Sequence, residues 1–166
     1  MIKKYFTSVV LFATLSVTLP DAYGFDLKSF EGKKTKFESL IGNGKWTLIM
    51  FWAHHCSICL SEVNVLSDFH DERHQNDAQV IGISIDGEEQ IGEALKFVNK
   101  SKPTFPVYIG ELELIAFNYQ LMTQESFRGT PTFVLFGPDG SVMANNPGPF
   151  AIDKLEKFIA RYTAPQ

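Results

Sequence analysis

An almost continuous run of apolar residues, Trp46–Trp52, is the feature that most restricts the folds open to this chain. A strand with one face in water alternates apolar and polar residues, so a run without alternation predicts a strand covered on both faces. Residues 80–85 form a second run of this kind. Between the two runs, apolar residues at helical spacing predict a helix over residues 57–74. This β-α-β order favours a parallel pair of strands.

The residues that follow the second run predict another helix. Asp86 is followed three residues later by Glu89, a spacing typical of a helix cap. We therefore expect a helix that opens at this point and turns Ile91, Leu95 and Val98 towards the core.

The last third of the chain predicts a short strand, two helices and a hairpin. Residues 105–109 are expected to be extended, and residues 111–119 to form a helix with Leu112, Ile115 and Ala116 facing inward. Residues 132–136 and 141–144 flank a Gly-Pro-Asp-Gly turn, which predicts an antiparallel hairpin. A terminal amphipathic helix is marked by four apolar residues: Ile152, Leu155, Phe158 and Ile159.

The composition is that of one globular domain. The chain has 166 residues, of which 45% are hydrophobic and 20% charged, enough apolar material for one sizeable core and too little for a polytopic membrane protein. The formal net charge is -4 and no basic block is present, which argues against a nucleic-acid partner. We expect a single α/β domain over residues 25–166, built on a mixed sheet with a parallel β-α-β unit, an antiparallel C-terminal hairpin and helices on both faces.

The first residues, 1–24, are predicted to be a signal peptide. Two lysines precede a mostly apolar stretch over residues 5–19, and a small-residue pattern ends at Gly24, the expected cleavage point. As a helix, the apolar stretch would span only about 22 Å, less than the roughly 30 Å hydrocarbon core of a bilayer. We expect a periplasmic or otherwise exported protein, with an uncleaved membrane anchor as the alternative.

The two cysteines, Cys56 and Cys59, lie where the first predicted strand turns into the predicted helix. Unpaired N–H groups and the dipole at a helix start stabilise an anion, so the first thiol is favoured as a thiolate nucleophile. The C-x-x-C spacing keeps the second sulfur within reach of a mixed disulfide formed by the first. His55 can add positive charge beside Cys56 when protonated. The pattern predicts a redox-active pair.

Structural and metal-binding alternatives use the same residues. A permanent disulfide could brace the helix start, although so short a loop contributes only about 2 kcal/mol. A spacing close to that of zinc fingers links four residues: Cys56, Cys59, His70 and His74. One continuous helix would place His70 about 16 Å from Cys59, too far for one tetrahedral centre, so we expect no metal there and place His70 and His74 on a solvated helix face. Copper held by His54, His55 and the cysteines stays open.

Three motifs together resemble the thioredoxin superfamily. They are Trp-Ala-His-His-Cys-Ser-Ile-Cys at residues 52–59, Phe-Pro-Val at residues 105–107, and Gly-Thr-Pro-Thr-Phe at residues 129–133. The chain is most similar to the exported TlpA/ResA-like thiol-disulfide oxidoreductases, over residues 25–161. The resemblance implies the thioredoxin fold.

The resemblance also implies roles for four residues. Cys56 is the nucleophile and Cys59 the resolving cysteine, and together they form the redox-active disulfide. Pro131 follows a cis peptide bond and lies against the cysteines in this family, and the backbone of Thr130 pairs with a substrate strand.

Several positions depart from the family pattern. His55 stands in place of a tryptophan, and Ser57 and Ile58 replace a proline-containing dipeptide. Met50 stands where thioredoxin has a buried acid, whereas Glu62 matches a glutamate of TlpA/ResA-like sequences. We expect His55 and Glu62 to tune the acidity of the cysteine pair.

The implied function is that of an enzyme, a thiol-disulfide oxidoreductase that exchanges disulfides with client proteins. A reductase, such as one that prepares apocytochrome c thiols for haem attachment, is favoured over an oxidase. The expected partners are client proteins with disulfides or thiols and a membrane-bound thiol donor or acceptor. No organic cofactor is expected, because the sequence has neither a dinucleotide fingerprint nor a P-loop. A copper-binding chaperone, a disulfide isomerase and a peroxidase are the alternatives.

Overall fold

The structure is a computed structural model that describes residues 24–163. The predicted signal peptide lies outside these residues, except for Gly24, and stays a prediction. Within residues 24–163, none of the helices is both long enough and apolar enough to cross a membrane.

The described residues form one mixed sheet flanked by helices. Its strands are β1 (Asp26–Ser29), β2 (Lys34–Lys36), β3 (Trp46–Trp52), β4 (Ala78–Ser84), β5 (Val107–Ile109), β6 (Thr132–Phe136) and β7 (Val142–Pro147). The helices are α1 (Ser57–Arg73), α2 (Ile91–Ser101), α3 (Leu112–Thr123) and α4 (Ile152–Thr163). The strand order is β2-β1-β5-β4-β3-β6-β7. The β3–β4 and β4–β5 pairs are parallel, and the remaining pairs are antiparallel.

Strand β3 is the centre of the molecule, and every residue in it is buried. Leu48, Met50 and Trp52 join a cluster with residues from α1, α2 and α4 on one face of the sheet. Ile49 and Phe51 join a second cluster with residues from α3 on the other face. Because side chains alternate between the two faces of a strand, the unbroken apolar run supplies both clusters. The prediction of a strand covered on both faces is confirmed.

The predicted order of elements from β3 to β4, the C-terminal hairpin and the terminal helix are also confirmed. The fold is therefore the predicted α/β class. The inward faces predicted for two helices are each wrong at one residue. In α2, Ile91 and Val98 pack against the core as predicted. Leu95 is instead 41% exposed, and the most buried residues of the helix are Ala94 and Phe97. In α3, which continues to Thr123, Ile115 is buried as predicted but Leu112 is 41% exposed.

Strands β1 and β2 were not predicted. They form an antiparallel hairpin at one edge of the sheet, and β1 also pairs with β5. The hairpin buries Leu27, and Phe25 just before it stacks on Phe37 at 4.7 Å between ring centroids.

Candidate active site

The register of the sheet brings three chain segments to one edge. Trp52 at the end of β3 pairs with Ser84 at the end of parallel β4, and Phe51 pairs with Thr132 at the start of antiparallel β6. The segment after β3, the segment after β4 and the segment before β6 therefore meet at the same place. The first carries the cysteines, the second carries Asp86 and the third carries Pro131.

Cys56 and Cys59 form a disulfide at the start of α1. Cys56 is the N-cap residue of the helix, and its Sγ accepts a hydrogen bond from the backbone N–H of Cys59 at 3.1 Å. Cys56 is 8% exposed and Cys59 is fully buried. Ile58, between them, is 47% exposed. Both cysteines are therefore buried, Cys59 more completely than Cys56, and an exposed apolar side chain lies between them in the chain.

His54 is fixed by a buried carboxylate. The His54 backbone N–H donates to Asp86 Oδ2 at 2.9 Å, and the His54 ring Nδ1 lies 2.7 Å from Asp86 Oδ1. Asp86 Oδ2 also accepts a hydrogen bond from the hydroxyl of Ser84. The side chain of Asp86 is 4% exposed and that of His54 is 29% exposed. A buried carboxylate needs such partners, since an unpaired one is strongly unfavourable.

The expectation that Asp86 caps the next helix is wrong. Neither the short 3-10 segment Glu88–Gln90 nor α2 has a side-chain cap hydrogen bond at its start. The carboxylate instead reaches back to His54, 32 residues earlier in the chain. Sequence reasoning missed Asp86 as a site residue. One signal could have identified it: Asp86 is an acidic residue that comes just after a buried parallel strand. The carboxyl ends of such strands are where binding sites form in sheets of this kind.

His55 is exposed and lies over the same edge. Its ring centroid is 4.9 Å from that of His54, with an angle of 78° between the rings. Both histidines and Cys56 line a cleft of about 320 Å³, whose opposite side is α2. His54 is the more firmly held of the two histidines, because its ring is hydrogen-bonded to Asp86. The expected effect of His55 on the acidity of Cys56 stays a prediction.

The Thr130–Pro131 peptide bond is cis. Pro131 is buried and its carbonyl accepts a hydrogen bond from Gly148 N–H at 2.8 Å, while Thr130 is half-buried. The Thr132 hydroxyl donates to the carbonyl of Gly129 at 2.6 Å and ties the turn before β6 together.

Glu62 lies on α1, one turn beyond Cys59, and is half-buried. Burial raises the pKa of its carboxyl above the usual value of 4.5, because the charged form loses solvation. Met50 is buried in the cluster that contains both cysteines.

The sequence analysis placed both His70 and His74 on a solvated helix face, and this prediction is wrong for His70. Their rings stack at 4.7 Å between centroids, and His70 is buried with its Nδ1 accepting a hydrogen bond from Val80 N–H at 3.1 Å. This hydrogen bond fastens α1 to β4. His70 is therefore a core residue of the α1–β4 contact.

Fold and site together define a thioredoxin-like protein with a cysteine pair at a helix start and a cis-proline at the same edge. The chain belongs to the AhpC/TSA family, whose model matches residues 19–145. The expected membership of the thioredoxin superfamily is confirmed.

Among curated relatives, the thiol-disulfide oxidoreductase ResA of Oceanobacillus iheyensis is 24% identical over 116 residues, covering 70% of this chain and 56% of ResA. Alkyl hydroperoxide reductase C of Mycobacterium tuberculosis is 39% identical over 46 residues, covering 27% of this chain and 24% of that protein. The matched region thus spans little more than half the length of ResA and about a quarter of the length of alkyl hydroperoxide reductase C.

Solved structures share the fold. A secreted disulfide oxidoreductase of Mycobacterium tuberculosis superposes with a TM-score of 0.65 at 23% identity, covering 86% of this chain and 99% of that one. A thiol:disulfide interchange protein of the thioredoxin family from Chlorobium tepidum has a TM-score of 0.68 at 21% identity, with coverage of 84% and 93%. These similarities confirm the predicted thioredoxin fold.

Proposed function

We propose that the protein is an exported thiol-disulfide oxidoreductase that acts on client proteins. The observation that carries the proposal is the Cys56–Cys59 disulfide at the start of α1, with Cys56 at a cleft and Cys59 buried behind it. The similarity to ResA supports the same activity. The helix start favours the thiolate of Cys56 over its thiol, which makes Cys56 the nucleophile.

The proposed reaction transfers two electrons in two exchanges. The Cys56 thiolate attacks one sulfur of a client disulfide, a bond forms between Cys56 Sγ and that sulfur, and the other client sulfur leaves as a thiolate that takes up a proton. Cys59, deprotonated in turn, attacks Cys56 Sγ, which releases the second client thiolate and forms the enzyme disulfide. The client is reduced and the enzyme is oxidised, and the reverse sequence oxidises a client dithiol.

The surroundings of the pair supply client contacts in this proposal. Ile58 offers an apolar surface beside the cysteines, and the backbone of Thr130, next to Pro131, offers hydrogen bonds to an extended client segment. His55 is proposed to support the Cys56 thiolate, and Glu62 to exchange a proton near Cys59.

We propose the reducing direction, with apocytochrome c thiols as one client class and a membrane-bound thiol protein as the electron donor. The ResA similarity supports this choice. It requires a reduction potential closer to the roughly −270 mV of thioredoxin than to the roughly −120 mV of DsbA. Equilibration with defined glutathione mixtures measures that potential, and a value near that of DsbA would instead make the protein an oxidase.

The activity is tested with Cys59→Ser and Cys56→Ser variants of the full chain. The wild-type protein is expected to reduce insulin disulfides, and Cys59→Ser to accumulate a mixed disulfide with the client that dithiothreitol releases. Cys56→Ser, the matched control, is expected to trap nothing. Peroxide consumption by a protein that leaves insulin disulfides intact would overturn the proposal in favour of a peroxidase. Export is tested by fractionation and by a mature N-terminus at Phe25.

A further inference from the structure

The His54 ring has a defined hydrogen-bonding state that leaves one nitrogen free to bind a metal. Its Nδ1 lies 2.7 Å from Asp86 Oδ1, so a proton on Nδ1 satisfies the buried carboxylate. The lone pair is then on Nε2, on the opposite side of a ring that is 29% exposed. Metal-binding histidines in proteins commonly have this arrangement, in which a carboxylate holds one nitrogen and the other binds the ion.

A second imidazole is close to the first. One ligand atom from each of His54, His55 and Asp86 lies within 4.8 Å of the others. Two nitrogens bound to one tetrahedral dication, at 2.0–2.1 Å each, are about 3.4 Å apart. Since His55 is exposed, rotation of its side chain can bring its nitrogen to that separation without moving the core.

Asp86 fits the role of a support behind the ligands. Oδ1 is engaged by His54 Nδ1, and Oδ2 is engaged by the His54 backbone and the Ser84 hydroxyl. Direct coordination by Asp86 would break this arrangement, whereas coordination through His54 Nε2 keeps it intact.

We propose that His54 Nε2 and His55 bind a first-row transition-metal dication that accepts imidazole, such as Zn²⁺, and that the Cys56 thiolate completes the site when the disulfide is reduced. Cys56 lines the same cleft as both histidines. In the disulfide its sulfur carries no charge. Reduction by a dithiol, which is itself oxidised to a disulfide, adds two electrons and breaks the bond between Cys56 and Cys59. Cys59 takes up a proton and becomes a thiol, Cys56 is freed as a thiolate, and the oxidation state of the metal does not change. Imidazole and thiolate are both suited to Zn²⁺.

The charges around the cleft make binding depend on the redox state. Lys96 and Lys100 line the cleft together with Glu93, and Lys96 pairs with Glu93 at 2.6 Å. Because Glu93 offsets one of the two ammonium groups, these three side chains keep one net positive charge, which opposes a dication held by two neutral imidazoles. A thiolate beside those imidazoles offsets this repulsion and adds a third bond, so the reduced protein is the form that retains the metal.

The test is a titration of the full chain with Co²⁺, a spectroscopic substitute for Zn²⁺, in the oxidised and the anaerobically reduced states. The reduced protein is expected to bind at least tenfold more tightly and to develop a near-ultraviolet thiolate-to-cobalt charge-transfer band that added Zn²⁺ removes. His54→Ala and His55→Ala are each expected to weaken Co²⁺ binding at least tenfold, and Asp86→Asn roughly tenfold through the orientation of His54. His74→Ala, which alters a histidine outside the site, is the matched control and should bind like wild type.

Two results would overturn the inference. If a His54→Ala/His55→Ala protein that retains its far-ultraviolet circular dichroism binds Co²⁺ as tightly as wild type, the cysteines alone hold the metal. If the oxidised and reduced proteins bind equally and no charge-transfer band develops, the thiolate is not a ligand. These readouts are independent of insulin reduction, so the inference and the proposed function can fail separately.

Discussion

The backbone N–H of Val80 in β4 donates a hydrogen bond to Nδ1 of His70 in α1, and both residues are buried. The imidazole must be unprotonated at Nδ1 to accept this bond. Burial, and next the neighbouring His74, lower the pKa of His70 below its usual value of 6.5; Lys45 acts in the same direction and Asp71 opposes it. The helix that carries the cysteines is thus attached to the sheet by a neutral histidine.

The first prediction is that this contact loses strength in mild acid. Below pH 6.5 the unfolded chain takes up a proton on His70, whereas the folded protein resists protonation there. The unfolded state therefore binds more protons, and the free energy of unfolding decreases as the pH is lowered. The contribution is fully present above pH 6.5 and declines below it. Urea unfolding of wild type and His70→Asn, from about pH 8 to about pH 5, measures the effect.

His70→Asn keeps an acceptor for Val80 but does not titrate. We expect the wild-type curve to fall more steeply below pH 6.5 than the curve of the variant, whatever the difference in absolute stability. Parallel curves would show that protonation of His70 is not linked to unfolding.

The second prediction compares two glycine-to-alanine changes. A Cβ on Gly82 in β4 would lie 3.1 Å from the Phe105 ring and 3.2 Å from both Trp52 Nε1 and Val107 Cγ1. Gly82→Ala should therefore destabilise the protein by about 1–3 kcal/mol through overpacking. A Cβ on Gly92 in α2 meets nothing within 4 Å, so Gly92→Ala should stabilise it by about 0.5–1 kcal/mol through helix propensity.

Chemical denaturation of the two variants and wild type under one condition measures both effects. Opposite signs are the expected result. Equal changes in the two variants would mean that the space around Gly82 can expand and that sheet packing does not select glycine there.

The sequence was sufficient for elements whose signals are local. The apolar run of β3 and the helical spacing of α1 lie in consecutive residues, and the C-x-x-C pair between them is contiguous. By contrast, β1 and β2 are short and rich in lysine, with no clear alternation to mark them. They are strands because β1 pairs with β5, a contact between distant parts of the chain.

Two polar residues, Asp86 and His70, were predicted wrongly for the same reason. The Asp86 pattern resembled a cap because Glu89 follows it, whereas the partner that holds Asp86 is 32 residues away. His70 resembled a surface residue because Asp71 and Arg73 flank it, whereas β4 covers one side of the helix. Both errors concern a polar side chain whose environment is set by a neighbouring strand.

The third prediction concerns the stability supplied by Asp86. Replacement by alanine leaves the His54 backbone N–H and the Ser84 hydroxyl without their acceptor, and a buried donor without a partner costs about 1–3 kcal/mol. Asp86→Ala should therefore lower the free energy of unfolding by about that amount. Glu88→Gln changes an exposed acid in the following turn and should stay within about 0.5 kcal/mol of wild type. Equal stability of both variants would contradict the structural role of Asp86.

The fourth prediction concerns Glu62, whose pKa is raised by burial. An acid with a raised folded pKa binds protons more tightly in the folded state, so stability falls as pH rises from the usual value of 4.5 through the folded value, and the penalty remains at neutral pH. Glu62→Gln removes the charge and should make the protein more stable than wild type at pH 7. The gain should shrink as the pH is lowered through the raised pKa of folded Glu62 and should be lost below pH 4.5, where the carboxyl is protonated in both the folded and the unfolded state.

Thermal and urea unfolding of Glu62→Gln and wild type at about pH 7 and about pH 4 measure this difference. Asp68→Asn, an exposed acid on the same helix, is the control for a simple change in net charge. If Asp68→Asn and Glu62→Gln stabilise the protein equally at pH 7, reduced charge repulsion explains the gain. If only Glu62→Gln does so, the partly buried carboxylate is held in the folded protein at a cost to stability.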